Sequence, residues 1–282
     1  MTPRPLKLGL QLIGLNSVPE MAEEARRAEE LGFDVVLLGD HLGMTAPLAP
    51  LPMLGAAAPS LQVGNMVLNT AFYRPPLLAR DLASVDSATG GRLIIGLGAG
   101  YIEQEFAAAG LPFPSPGARV KLLTEHVTEI RRLLSDPAHI PAPVQAPPPI
   151  MIAGAGDKLL TMAAQHADVV AVGSMGSEAD LAERVAFVKN AAGARADDIE
   201  LQFGFFQVSI DDPSDLSILN MVAPGVPEVE LRKLTTLIDV PVEAAVERVQ
   251  RLHEELGISY FTFNRTPGTS WDTFAKLVST LR

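Results

Sequence analysis

Asp40 and His41 are the first residues in this chain whose types and position suggest chemistry. They follow an apolar run at 35–38 and Gly39. A carboxyl beside an imidazole can orient a bound ring, donate a hydrogen bond or move a proton. The same pair could equally cap a turn and pack as ordinary polar residues. A second place is Asn69-Thr70-Ala71-Phe72-Tyr73-Arg74, where polar residues leave a buried run either to bond a ligand or to end a strand. A third is Gly96-Leu97-Gly98-Ala99-Gly100-Tyr101, whose glycines let a flat ligand or a neighbouring backbone approach closely. Its spacing is not the dinucleotide fingerprint. The fourth is Ala153-Gly154-Ala155-Gly156-Asp157, which opens directly into a helix. Free amides and the helix dipole there suit a phosphate or carboxylate, although a plain Gly-rich turn reads the same way.

Other chemistries lose support. His126, His139, His166 and His253 are scattered and form no H-x-x-x-H pair, and Cys is 0, so no metal centre is expected. No G-x-S-x-G elbow and no phosphate-binding P-loop is present. The net charge of -11, without a Lys/Arg-rich run, argues against nucleic acid as a partner. No apolar stretch approaches the roughly 20 residues that cross a bilayer. Met1-Thr2-Pro3-Arg4-Pro5 leads into a strand without the apolar core of a signal peptide, so a soluble, cytoplasmic protein is expected.

The elements that must position these residues alternate. Short apolar runs at 6–12, 35–38, 63–68, 93–97, 150–153, 169–172, 201–208 and 260–263 read as strands. Several are too apolar on both faces for a solvated sheet. Helical periodicity falls at 17–31, 75–89, 120–134, 159–166, 180–190, 242–256 and 271–281. Ser17-Val18-Pro19-Glu20 predicts a capping box, and Gly32 a C-terminal stop. About eight strand–helix units in 282 residues predict a (β/α)8 TIM barrel, one domain over 1–282; a doubly wound open sheet is the competitor. Barrel chemistry collects where strands end and helices begin, which is where all four candidate places fall. Two stretches break the rhythm. Residues 135–149 carry six prolines, and 211–227 mixes turn residues with Met221, Val222 and Ala223.

Taken together, the segments 6–12, 38–41, 67–69, 74–75, 87–92, 96–101, 152–156 and 255–260 resemble the luciferase-like monooxygenase family, and within it the branch that uses coenzyme F420, a deazaflavin hydride carrier. The resemblance implies a luciferase-like (β/α)8 barrel, a homodimer, and a flavin-like ring at the C-terminal ends of the strands. It implies that Asp40 bonds the ring or its side chain and that His41 stands close to the reacting ring. Met66 and Val67 fall where the family places a non-prolyl cis peptide behind the ring, and Asn69 would reach the pyrimidine edge. Gly98, Ala99 and Gly100 would line the ribityl side. Gly154, Ala155 and Gly156 would take the phosphate, with Ser174 adding a hydroxyl.

The chain departs from the pattern twice. Sugar-phosphate dehydrogenases of this branch carry a general-acid Glu where this chain has Tyr101, which with His41 is assigned to the catalytic pair. Relatives also insert a hairpin where this chain has only 135–149. A shortened roof over the pocket is therefore expected, with 211–227 as lid or dimer contact. The function implied is F420-dependent oxidoreduction of a small organic substrate. The alternatives are an FMN-dependent monooxygenase using reduced flavin and oxygen, and a barrel that binds a flavin-like ligand without turnover.

Overall fold

The computed structural model describes residues 4–14, 17–173, 175–265 and 269–282. Eight parallel strands close into a ring: β1 (Lys7–Leu12), β2 (Val35–Leu38), β3 (Gln62–Asn65), β4 (Leu93–Gly98), β5 (Ile150–Gly154), β6 (Val169–Val172), β7 (Glu200–Phe205) and β8 (Ile258–Arg265). Closure is made by β8 on β1, with Lys7 opposite Tyr260 and Leu12 opposite Arg265. Around the ring lie α1 (Val18–Leu31), α2 (Leu51–Ala57), α3 (Pro75–Ala88), α4 (Glu103–Ala108), α5 (Pro116–Leu134), α6 (Asp157–His166) and α7 (Glu178–Ala192). The circuit ends with α8 (Ser217–Val222), α9 (Glu228–Leu231), α10 (Val242–Leu256) and α11 (Trp271–Leu281). This is the expected (β/α)8 barrel. Among the described residues no helix is long and apolar enough to cross a membrane.

The all-apolar strands serve two cores at once. Along β2, Val36 and Leu38 pack outward among the helices, while Val35 and Leu37 pack inward with Ile94, Met151, Val169, Ala171 and Tyr260. That split is the two-residue period of a strand buried on both faces. Outside, Met21, Ala25 and Ala28 form the buried stripe of α1, which Gly32 stops at φ 91°. Ser17 accepts from the Glu20 amide at 3.5 Å, one half of the expected capping box. The complete reciprocal box occurs instead at Ser177 and Asp180, at the start of α7.

Three features differ from the sequence reading. The strand predicted over 63–68 is interrupted: the Met66–Val67 peptide is cis, and Leu68–Asn69 then pairs separately with Leu97 and Gly98. Glycine is required beside the interruption, because a Cβ on Gly96 would stand 1.8 Å from the Asn65 carbonyl oxygen. A Cβ on Gly64 would stand 2.2 Å from that of Ile94. The short helices α2 and α4 were not predicted; six or seven residues carry too little periodicity to stand out.

The third difference concerns the two irregular stretches. Residues 135–149 lie at the opposite end of the barrel from the expected roof. The amides of Val144 and Gln145 donate to Oδ2 of the fully buried Asp86 at 2.7 and 2.8 Å. The Gln145 side-chain amide donates to Asp86 Oδ1 and to the carbonyl of Leu93, the first residue of β4. A helix-to-strand connection necessarily ends at the N-terminal face, so its length takes nothing from the rim. By contrast, the chain after β7 lies at the C-terminal face. There Gln207–Val208 pairs with Leu237–Ile238, and Leu216, Leu219, Leu231 and Leu237 form a small separate core. Ala223 packs against that core, while Met221 stays 58% exposed.

Candidate active site

Four strand ends build the site. Asp40, just past β2, is buried, and its Oδ2 accepts both the Asn69 amide (2.9 Å) and the Tyr73 hydroxyl (3.0 Å). Its Oδ1 has no hydrogen-bond partner among the described residues. Burial pushes the Asp40 carboxyl above the ordinary carboxylate range, against the pull of these two hydrogen bonds and of His41 beside it. Tyr73 is pushed well up in turn, by burial first and then by the Asp40 charge.

A stability prediction follows, with its sign fixed by linkage. A carboxyl that holds its proton more tightly folded than unfolded costs stability as pH rises through the interval between the two values, and the cost persists above it. Asn keeps a carbonyl oxygen for both donors without the charge. Asp40→Asn is therefore expected to melt higher than the wild type at neutral pH, with the gap closing in acid. Calorimetry across pH checks this; an unchanged or lowered melting temperature at neutral pH would contradict it.

His41 sets its Nδ1 2.9 Å from Oε1 of Glu105, with side chains 32% and 14% exposed. Tyr101 stands edge-on to the imidazole at 6.2 Å between centroids and is itself exposed. Glu105 rides on α4, which is anchored by the buried Phe106 between Phe72 and Phe113. A cavity of about 540 Å³ opens on Asp40 and His41, walled by Met44, Phe72, Tyr73 and Leu111.

The cis bulge at Met66–Val67 is held from across the barrel. Gln11 on β1 donates to the Met66 carbonyl at 2.9 Å, and Gln202 fixes the Thr262 hydroxyl, which lies 3.8 Å from the Met66 sulfur. Gly98 lets Val67 approach, since a Cβ there would fall 2.5 Å from Val67 Cγ2. Gly100 has φ 69°, and a Cβ on it would strike the Asn69 amide at 2.5 Å. Asn69 itself spends Oδ1 on the Ala71 amide. The Thr70 hydroxyl donates to the Gly98 carbonyl and so ties the loop after β3 to the end of β4, while Arg119 on α5 donates to the Gly100 carbonyl, with Ala99 between these two anchored positions.

At the end of β5, Gly154 and Ala155 lead to Gly156, the N-cap of α6. No side chain caps this helix, so its first-turn amides lack a side-chain acceptor. A Cβ on Gly156 would meet nothing within 4 Å, so the cradle is open. Ser174 lies outside the described residues.

The structure thus brings Asp40, His41, Tyr101, Met66, Val67, Asn69 and Gly98–Gly100 to one rim, with Gly154–Gly156 on the same face of the barrel. Sequence reasoning missed Gln11 and Glu105, and it named Tyr73 only within the stretch 69–74, without a role of its own. Gln11 carried a signal, being an uncharged polar residue set between leucines near the end of β1. Glu105 carried none until α4 was recognised as a helix.

The sequence profile of the luciferase-like monooxygenase family matches residues 5–217. The F420-dependent glucose-6-phosphate dehydrogenase of Nakamurella multipartita is 37% identical over 144 residues, covering 47% of this chain and 42% of that enzyme. The chain therefore matches less than half the length of this curated relative. Among solved structures, an F420-dependent secondary alcohol dehydrogenase in complex with an F420-acetone adduct has a TM-score of 0.82 at 18% identity, over 99% of this chain and 100% of that one. A long-chain alkane monooxygenase has a TM-score of 0.80 at 17% identity, over 100% and 92%. At such identities the likeness is one of fold. The profile match is more specific, running from β1 through every strand that carries a rim residue to the start of α8, and by it the chain belongs to the luciferase-like monooxygenase family.

Proposed function

We propose that this protein is a coenzyme F420-dependent oxidoreductase that moves a hydride between the deazaflavin and a small organic substrate. The observation that carries the reading is the His41–Glu105 pair, a proton-handling group on the same rim as the seat for a flat ring. Sequence kinship at 37% identity, rather than rim geometry, favours deazaflavin over FMN. When bound, the deazaflavin supplies or accepts the hydride.

The residues fit such a group. The unpartnered Asp40 Oδ1 is an acceptor for a ring N–H, and the Met66–Val67 bulge supplies a backbone wall held by Gln11. Gly98, Ala99 and Gly100 leave room beside it, with Asn69 at the neighbouring edge. The open cradle at Gly154, Ala155 and Gly156 offers α6 amides to the phosphate. His41 takes or returns the proton that accompanies hydride transfer, and the Tyr101 ring flanks it edge-on. Tyr101 in place of a carboxylic acid argues that the sugar-phosphate activity of the Nakamurella relative does not carry over.

Equilibrium titration tests the assignment. F420 is expected to bind at least about tenfold more tightly than FMN, roughly 1.4 kcal/mol. Reduced cofactor on the protein is expected to consume no oxygen beyond the uncatalysed rate. Equal or tighter FMN binding with oxygen uptake would replace the assignment by a flavin monooxygenase; binding of neither would leave a barrel without this chemistry.

A further inference from the structure

We propose that Glu105 is a positioning residue that fixes the proton of His41 on Nδ1, leaving Nε2 as the nitrogen that exchanges a proton with the reacting molecule. The inference rests on the reading of His41 as the proton-handling group of the rim. It assigns the carboxylate of the site to a residue other than the one that the sequence pattern points to.

An ionised carboxylate only accepts hydrogen bonds. An imidazole nitrogen 2.9 Å from it therefore carries the proton, and the neutral ring must bear its lone pair on the other nitrogen. The Nε2 of His41 has no protein partner among the described residues, and the side chain lines the 540 Å³ cavity. A ring so held presents one defined acceptor and does not divide its population between two tautomers.

The other groups around His41 cannot do this. From the end of β2, Asp40 spends Oδ2 on the Asn69 amide and the Tyr73 hydroxyl and makes no hydrogen bond to the ring. From the loop after β3, Tyr73 donates to Asp40, and Arg74 is a cation with nothing to accept Nδ1–H. From the end of β4, Tyr101 meets the imidazole edge-on at 6.2 Å. On α4 itself, Glu103 is exposed, whereas the Glu105 side chain is 14% exposed and turned to the ring. Its seat is firm because the next residue, Phe106, is buried between Phe72 and Phe113. Partial burial matters here, since the same pair in open solvent would constrain the ring little.

Nitrogen NMR of the protein without cofactor, labelled with ¹⁵N at histidine, reads the tautomer directly at mildly alkaline pH. His41 signals are identified by their loss in His41→Gln. The wild type is expected to show the Nδ1–H form almost alone. In Glu105→Ala the Nε2–H form, which unconstrained imidazole side chains favour, is expected to become the major one. Glu105→Met keeps the length and helix preference of the side chain without an acceptor, and is expected to show the same switch if the alanine variant loosens α4. An Nε2–H tautomer in the wild type, or an unchanged tautomer in both variants with the fold intact, would overturn the proposal. Because no cofactor is added, failure of the F420 titration would leave this result standing, and the converse holds equally.

Discussion

Replacing His41 by alanine is expected to lower turnover by about 10²-fold or more, the usual contribution of a positioned acid or base. The protein should survive the change well. The imidazole bonds to Glu105 and touches Tyr101, and no part of the hydrophobic core rests on it. Cofactor affinity is expected to change far less than turnover, because Asp40, the Met66–Val67 bulge and the α6 cradle all remain. Single-turnover hydride transfer, followed by deazaflavin absorbance at saturating cofactor, separates the two effects. Near wild-type transfer rates in the alanine variant would move the proton traffic to another group, with Glu105 and Tyr101 the neighbouring alternatives.

Gly156→Asp is expected to weaken a phosphate-bearing cofactor by about 10²-fold, the loss of one or two charge-assisted hydrogen bonds. Gly156 has φ -78° and ψ 144°, a backbone that any residue adopts, and its Cβ would enter empty space. Aspartate is a strong N-cap, so its carboxylate would occupy the very amides that the proposed function gives to the phosphate. The variant should then fold at least as stably as the wild type while binding worse. A deazaflavin lacking the phosphate should bind both proteins alike. The structure also makes Gly156 a cleaner probe than Gly154, where a Cβ would fall 2.5 Å from the Leu159 side chain and mix packing with binding. Unchanged F420 affinity in Gly156→Asp would remove the phosphate from this helix.

The barrel was legible because its strands are buried on both faces and its helices are amphipathic. Val35–Leu38 and Val242–Leu256 match the sequence reading residue for residue. The rim was legible where a motif sits at a strand end, as at Asp40-His41 and Gly154-Ala155-Gly156. What escaped depends on tertiary contact. The break in β3 arises because two backbones meet at Gly64 and Gly96, and neither glycine alone announces it. Glu105 reaches His41 across 64 positions of sequence from an unpredicted six-residue helix. Placing 135–149 at the rim, as the remnant of a shortened roof, failed for a different reason: direction along the barrel axis follows from element order, and a segment entering β5 arrives at the foot of the strand.

The three hydrogen bonds that tie Val144 and Gln145 to Asp86 have a consequence for how members of such a family diverge. They fasten the passage from α5 to β5, a seam at the foot of the barrel and away from the rim, so lengthening or trimming it is expected to act on stability. If substrate is chosen at the rim, as the proposed function has it, a hairpin gained or lost at this seam is expected to leave specificity unchanged. On the proposed function, two proteins that differ by many residues here are expected to act on the same molecule, while a single change at position 101 or 105, beside His41, is expected to alter the chemistry.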